Sequence, residues 1–435
     1  MREKIRPCCQ AFLRGFLGLF LTAQCVLGVC YWLGNVTRAQ QFDTVSAMGR
    51  WVSSLPVLPV HVVQTAAVYG GLFYFFGCFF HGRRRAFLAL AVLTIPFVMQ
   101  VCLSETEHGA ALTAVLCMAG MMMDCHIHGR RQGRVQAVMC AVCVGVLLLC
   151  GAAYSCGAAL LYLVLSVVQI SASGKRKRDR VFYSLAALLI SVCFALTGMT
   201  IQNKLNPDRM QITWESVLLK RFAYPGLNEN LMEGLPPEMQ EIYTRSEINS
   251  FRLYPYLLDT TLEGDLLAAV GKERTEEIYL ELAWYGFMCG TKVDARMILE
   301  DVACYLSPLL MYPFYSDGTI LAEYGWSYQQ FLTGTPYLAE LYMYVSLVGY
   351  AVGLLLTLIF RVLHCLLLKS ARPGALNSMF VKRLRPLIVL WAGLSVLFMM
   401  RGAAVFNYKY AAFQAVLGYL VLFAAIKERE QGWVI

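Results

Sequence analysis

The chain of 435 residues is 58% hydrophobic and only 15% charged, with a mean hydropathy of +0.56. Soluble domains carry about a quarter charged residues, so the composition excludes that class and points to an all-α polytopic membrane protein. The net charge of +9 does not indicate a nucleic-acid partner, because the basic residues sit in short clusters at the ends of apolar runs, where they set topology.

Residues 12–33 form the first run of spanning length, preceded by Arg2, Lys4, Arg6 and Arg14 and followed by no small-residue cleavage site. It is expected to be an uncleaved anchor with a cytoplasmic N-terminus. Residues 35–56 then lie outside and carry Arg38, Asp43, Arg50 and the sequon Asn35-Val36-Thr37. The run 58–80 returns inward to Gly82-Arg83-Arg84-Arg85, and 87–103 leads out to Glu105, Glu107 and His108. The charges alternate as the positive-inside rule requires.

A short span, 110–124, ends inside at Asp124-Cys125-His126-Ile127-His128, with Arg130, Arg131 and Arg134 beyond it. The two histidines are two apart and point to different sides of a helix, so they mark a solvated helix end and no metal site. Runs 135–151 and 156–170 form a tight hairpin with residues 152–155 as its outer turn, closed inside by Lys175-Arg176-Lys177-Arg178. These two helices are rich in small residues, which suits close packing on neighbours. The run 181–201 leads out again.

Residues 202–336 are the one long polar passage, an extracytoplasmic insert in which acidic residues outnumber basic ones. Its patterns are helical. A short amphipathic helix spans 214–221, and Pro236-Pro237 starts another with Glu238 in its first turn. Residues 275–288 present Ile278, Leu282 and Tyr285 on one face, and Asp294 caps a returning helix with Met297, Ile298, Val302 and Tyr305. That hairpin holds Cys289 and Cys304 about 16 Å apart, too far for a disulfide. Aromatics including Tyr324 and Trp326 crowd 312–337. They fit a belt where the chain re-enters the bilayer, or alternatively a platform for a sugar or lipid headgroup.

Runs 337–367, 386–406 and 411–426 complete about ten spans, at about 20 residues per helix. The expected organisation is an N-terminal bundle of about seven spans over 1–201, the helical insert over 202–336, and about three spans over 337–435. Both termini are cytoplasmic and the location is the plasma membrane. Of sixteen cysteines, all but Cys289 and Cys304 lie in or beside apolar segments, where Cys packs as a small residue. Cys140 and Cys143 are included.

The sequence has no Gly-rich phosphate loop, no His-Glu-x-x-His and no paired Cys-x-x-Cys framework, so neither metal nor cofactor is expected. Topology gathers Asp43, His61, Glu105, Glu107, His108, Glu340 and Arg401 near the outer face. Arg401 stands 16 residues beyond Arg385, about 24 Å along a helix. A guanidinium at that depth needs an acid such as Glu340, a route to the headgroups or a phosphate. This layout resembles the GT-C class of integral-membrane glycosyltransferases, on topology and the short loop Gln41-Phe42-Asp43. The resemblance implies Asp43 as general base and Arg38, Arg50 or Arg401 as phosphate holders. The loop departs from the class in having one acid where a pair is common, and the chain has fewer spans than many members. Separately, Trp214-Glu215-Ser216 with Arg221-Phe222 and Pro225 is similar to a stretch in uncharacterised bacterial polytopic proteins. The function expected is cell-envelope glycan assembly, as a transferase using a lipid-linked sugar phosphate or as an accessory to one. The substrate would also meet Glu340, Tyr324 and Trp326, and the partners would be the bilayer and the glycan. Alternatives are transport of a lipid or amphipathic solute, and a non-enzymatic assembly or sensor protein whose insert binds a partner.

Overall fold

Long apolar runs without alternation can satisfy their backbone in a bilayer only as helices, and the computed structural model is built accordingly. It describes residues 2–38, 46–104, 106–129, 133–172, 177–219, 236–242, 262–288, 336–367, 384–397 and 412–420, and no strand occurs among them. Among the described residues, five helices are long and apolar enough to cross a membrane. They lie within α1 (Arg2–Asn35), α3 (Val57–Gly77), α6 (His108–His128), α8 (Ala152–Ala172) and α9 (Lys177–Leu205). The short α2 (Ala47–Ser53) lies between α1 and α3, capped by the Ser46 hydroxyl, which accepts from the Gly49 N–H at 2.9 Å.

Hydropathy alone predicts one continuous span over 87–103. The structure instead breaks it into α4 (Gly82–Leu93) and α5 (Pro96–Cys102), bent by 80°. Pro96 cannot donate to the preceding turn, so it begins a new helix after Thr94 and Ile95. The carbonyls exposed at the break are met by side chains from other helices. Gln24 of α1 donates to the Ala91 carbonyl at 2.7 Å, and the hydroxyl of Tyr342, in α14 (Pro336–Leu367), donates to the Thr94 carbonyl. Gln24 in turn accepts from the hydroxyl of Tyr419, in α16 (412–420), at 2.5 Å. Buried polar atoms at a membrane helix break require such partners.

The hairpin turn also differs from expectation. α7 (Arg134–Leu149) ends at Cys150 and Gly151, and α8 already starts at Ala152. Gly151 takes the turn with φ +128, which a side chain would strain. Ala152-Ala153-Tyr154-Ser155 are therefore helical, as their alanines favour. α6 is likewise longer than its apolar run and stops at Gly129, φ 62, a left-handed cap.

Within a bilayer, helices associate through close van der Waals packing, which small residues permit. α8 packs on α9, α3 on α6, α1 on α14, and α6 also meets α7 and α8. α6 is the most enclosed of the candidate spans, with 67% of its apolar window buried, and α9 the least, with 17%. Leu185, Leu189, Val192 and Leu196 of α9 are exposed, as lipid contact requires. Cys140 and Cys143 are buried in the core on α7, which packs against α6, so their spacing serves helix contact. α15 (Leu384–Leu397) meets α8 where Gly393 faces Leu160.

Two groups of helix ends are tied separately. At one end, Gln136 donates to Asp124 at 3.3 Å and Gln169 reaches Cys125 at 4.0 Å, beside the basic residues that start α4, α7 and α9. Arg85 there lies over the Phe73 ring, its guanidinium carbon 3.7 Å from the centroid. At the other end sit the C-termini of α1 and α9 and the N-termini of α3, α6 and α8.

The insert's described helices attach at this second end. α10 (Trp214–Leu219) places Val217 against Met199 and Ala152. α11 (Pro237–Ile242), α12 (Glu263–Val270) and α13 (Lys272–Met288) pack in sequence, and α13 also packs on α10. The sequence patterns do not anticipate α12. α13 buries Ile278 and Leu282 as expected, but its inner face continues through Tyr279 and Ala283, and Tyr285 stays 42% exposed. Arg274 ties the group together, 2.9 Å from Glu238 and 2.9 Å from Glu277. Asp294, Cys289, Cys304 and the aromatic stretch with Tyr324 and Trp326 lie outside the described residues.

The Arg274 guanidinium, bonded to Glu238, holds that carboxyl below its ordinary value. A carboxylate with a depressed folded-state pKa contributes stability above its unfolded value and loses it as pH falls through the folded one. Amide exchange in α11 should therefore be flat from neutral pH down to about 5 and accelerate below about 4, after correction for intrinsic rates. In Arg274→Met the acid-induced step should vanish, and a step that persists would assign it to another group.

Candidate functional site

The second bundle end holds a buried polar cluster built from four helices. His61 and Gln64 are three apart on α3 and so share a face, and both are buried in an otherwise apolar helix. His61 Nδ1 lies 2.8 Å from the Val36 carbonyl at the end of α1. Gln64 donates from Nε2 to the Thr106 carbonyl at 2.8 Å, while its Oε1 is buried without a hydrogen-bond partner. Thr106 also meets the Ser104 hydroxyl at 2.9 Å.

Glu107 caps α6 and His108 begins it, both buried. His108 Nδ1 is 2.5 Å from the Tyr154 hydroxyl on α8, with the ring centroids 5.6 Å apart. His108 Nε2 is 3.9 Å from Glu107 Oε1. The Cys150 thiol approaches the Glu107 carbonyl at 3.7 Å. A carboxylate, an imidazole and a phenol thus meet where water is excluded. Such a set can hold a proton and pass it between neighbouring groups, and intramembrane ionisable residues of this kind commonly mark functional sites.

The sequence-derived candidates distribute unevenly around the cluster. His61, Glu107 and His108 belong to it. Arg38 and Arg50 are exposed nearby in the chain; Arg38 donates its backbone N–H to the Asn35 carbonyl at 3.0 Å, and the Arg50 guanidinium donates to the Leu205 carbonyl at the end of α9, 3.1 Å. Glu340 is the fifth residue of α14. Asp43, Glu105, Arg401, Tyr324 and Trp326 lie outside the described residues. Asn35 of the sequon is buried and donates to the Tyr31 carbonyl at 2.8 Å, so its amide is engaged inside the fold.

Sequence reasoning misses Gln64 and Tyr154. The helical spacing of Gln64 from His61 is the available signal for the first. Placing Tyr154 in a turn hides its position on the inner face of α8.

At the basic end, His128 Nδ1 stands 3.0 Å from Asp124 Oδ1, one helical turn away. This satisfies the helix end locally. Among the described residues no group of three or more His, Cys, Asp or Glu side chains could hold a metal ion. The chain matches no protein family, no curated protein and no solved structure.

Proposed function

We propose that the protein is a plasma-membrane protein of about ten spans, both termini cytoplasmic and residues 202–336 outside, that works in cell-envelope glycan assembly. Its chemistry is transfer of a sugar from a lipid-linked phosphate donor at the outer face. The observation that carries this is the convergence at one bundle end of the buried Glu107–His108–Tyr154 cluster, the exposed Arg38 and Arg50, and the attached insert helices. A lipid-linked donor presents its phosphate and sugar at that depth while its tail stays in the hydrocarbon.

In this scheme Arg38, Arg50 and Arg401 hold the donor phosphate as charge-assisted hydrogen-bond partners. The acceptor hydroxyl oxygen attacks the sugar C1, the C1–O bond to phosphate breaks with its electron pair going to the phosphate oxygen, and Asp43 takes the hydroxyl proton. In the same scheme the substrate would also meet Glu340, Tyr324 and Trp326.

The test uses the full chain in lipid nanodiscs with a polyprenyl-phosphate hexose carrying a labelled sugar. Asp43→Asn should reduce transfer by about 10²-fold or more, the scale of general-base catalysis, with helical content unchanged. Arg401→Ala should instead weaken retention of the donor. Full transfer by Asp43→Asn, or no transfer by the unaltered chain from any polyprenyl-phosphate sugar, overturns the enzymatic assignment.

A further inference from the structure

Resting on the glycan-assembly role above, we propose that a groove between α10 and α13 of the insert binds an oligosaccharide bearing free amino groups. The groove is shallow and open to solvent, with a volume of about 640 Å³, and is lined by Glu215 of α10 and by Glu277, Leu280, Glu281, Trp284, Tyr285 and Met288 of α13. That size falls within the range of small-molecule sites. On α13 the residues Glu277, Glu281, Trp284 and Met288 follow one another at steps of about one helical turn and form a stripe of about 16 Å. The opposite face, with Ile278, Tyr279, Leu282 and Ala283, is buried, so the stripe faces outward by necessity.

The stripe has two chemically distinct halves. At one end are carboxylates. Arg274 contacts Glu238, Glu277 and Glu281, the last at 3.7 Å. One guanidinium set against three carboxylates, with Glu215 across the groove, leaves an excess of negative charge. At the other end are aromatic surfaces. Trp284 and Tyr285 are each 42% exposed, and Trp284 is propped at 86° by the edge of Phe287, ring centroids 5.8 Å apart.

Carboxylates accept hydrogen bonds from ammonium and hydroxyl groups. Aromatic faces attract ammonium groups, and their apolar surface covers the C–H face of a sugar ring. An amino-sugar chain of two or three residues supplies all three features along one length. An extended basic peptide fits less well, because both walls are helices whose main chains are bonded internally, and they offer no partners to its backbone.

The full chain in nanodiscs, without donor so that no turnover occurs, is titrated calorimetrically with a β-linked glucosamine tetramer. Its fully N-acetylated counterpart, a neutral glucose tetramer and a lysine-rich amphipathic helical peptide are the comparison ligands. The glucosamine tetramer should bind, about tenfold more weakly when N-acetylated, and more weakly in rising salt. Trp284→Ala and Glu281→Gln should each lower its affinity about tenfold, the scale of a single cation–π or charged hydrogen-bond interaction. Trp284→Phe should retain most of it, separating a missing ring face from a disturbed helix. Absence of glucosamine-tetramer binding, equal binding of the N-acetylated form, or displacement of the tetramer by the basic peptide at lower concentration overturns the proposal. None of these results bears on transfer at Asp43, because the measurement involves no turnover.

Discussion

Gly349→Ala should destabilise the protein by about 1–3 kcal/mol, the scale of overpacking in a close-packed core, although alanine is the better helix former. A Cβ at Gly349 would fall 2.0 Å from Phe20 Cδ2 and 2.3 Å from Cε2. Phe20 is buried, with Phe16 on one side and Tyr419 on the other at ring-centroid distances of 6.3 Å and 6.5 Å, so the ring has little room to retreat. The contact between α1 and α14 therefore opens, and with it the setting of Gln24 and Tyr342 around the α4/α5 break. Gly18→Ala is the internal control: it lies on α1 with nothing within 4 Å of an added Cβ. There the substitution should stabilise by about 0.5–1 kcal/mol, the ordinary gain over glycine in a helix. Thermal unfolding in detergent, followed by fluorescence, should order the proteins Gly18→Ala, unaltered, Gly349→Ala. Adding Phe20→Leu to Gly349→Ala should recover part of the loss by making room. Equal stability of the two alanine variants would show that α1 and α14 do not approach as closely as described.

The all-helical class and most helix positions are legible in the sequence because membrane spans announce themselves by length and by flanking charge. α3, α6, α8 and α9 fall over the runs assigned to them within a few residues, and α1 covers its run of 12–33 but begins earlier, at Arg2. The two departures have local causes that hydropathy does not register. A window average cannot see that Pro96 divides an apolar run, since one proline hardly lowers the mean of the apolar residues around it. Nor can it distinguish a turn at Cys150-Gly151 from one at 152–155, where the deciding factor is the positive φ of a single glycine. Polar residues inside spans are the least readable. Gln24 looks isolated in sequence, yet its partners are the Ala91 carbonyl and Tyr419, 67 and 395 positions away. The same holds for the candidate site: His61 and His108 stand out by type, whereas Tyr154 enters only through the packing of α8 on α6.

His108→Leu should cost about 1–3 kcal/mol of stability, the penalty for removing a hydrogen-bond partner from a buried group, because it takes the ring nitrogen away from the Tyr154 hydroxyl and leaves the Glu107 carboxylate beside a hydrocarbon chain. Tyr154→Phe should cost less, since the ring with its packing remains and only a hydroxyl is removed. The informative comparison is the pair. If the imidazole and phenol serve only to satisfy one another, His108→Leu/Tyr154→Phe should be more stable than the sum of the single changes predicts, by about 0.5–3 kcal/mol, because both polar partners have gone together. Transfer activity would then return with stability. If the cluster handles a proton for the chemistry proposed at this end of the bundle, the double variant should recover its thermal stability while transfer stays low. His108→Gln, which retains a hydrogen-bonding side chain without a titrating group, should behave the same way. Full transfer by a well-folded His108→Gln protein would leave the cluster as a structural clasp between α6 and α8, and would confine the proton chemistry to Asp43.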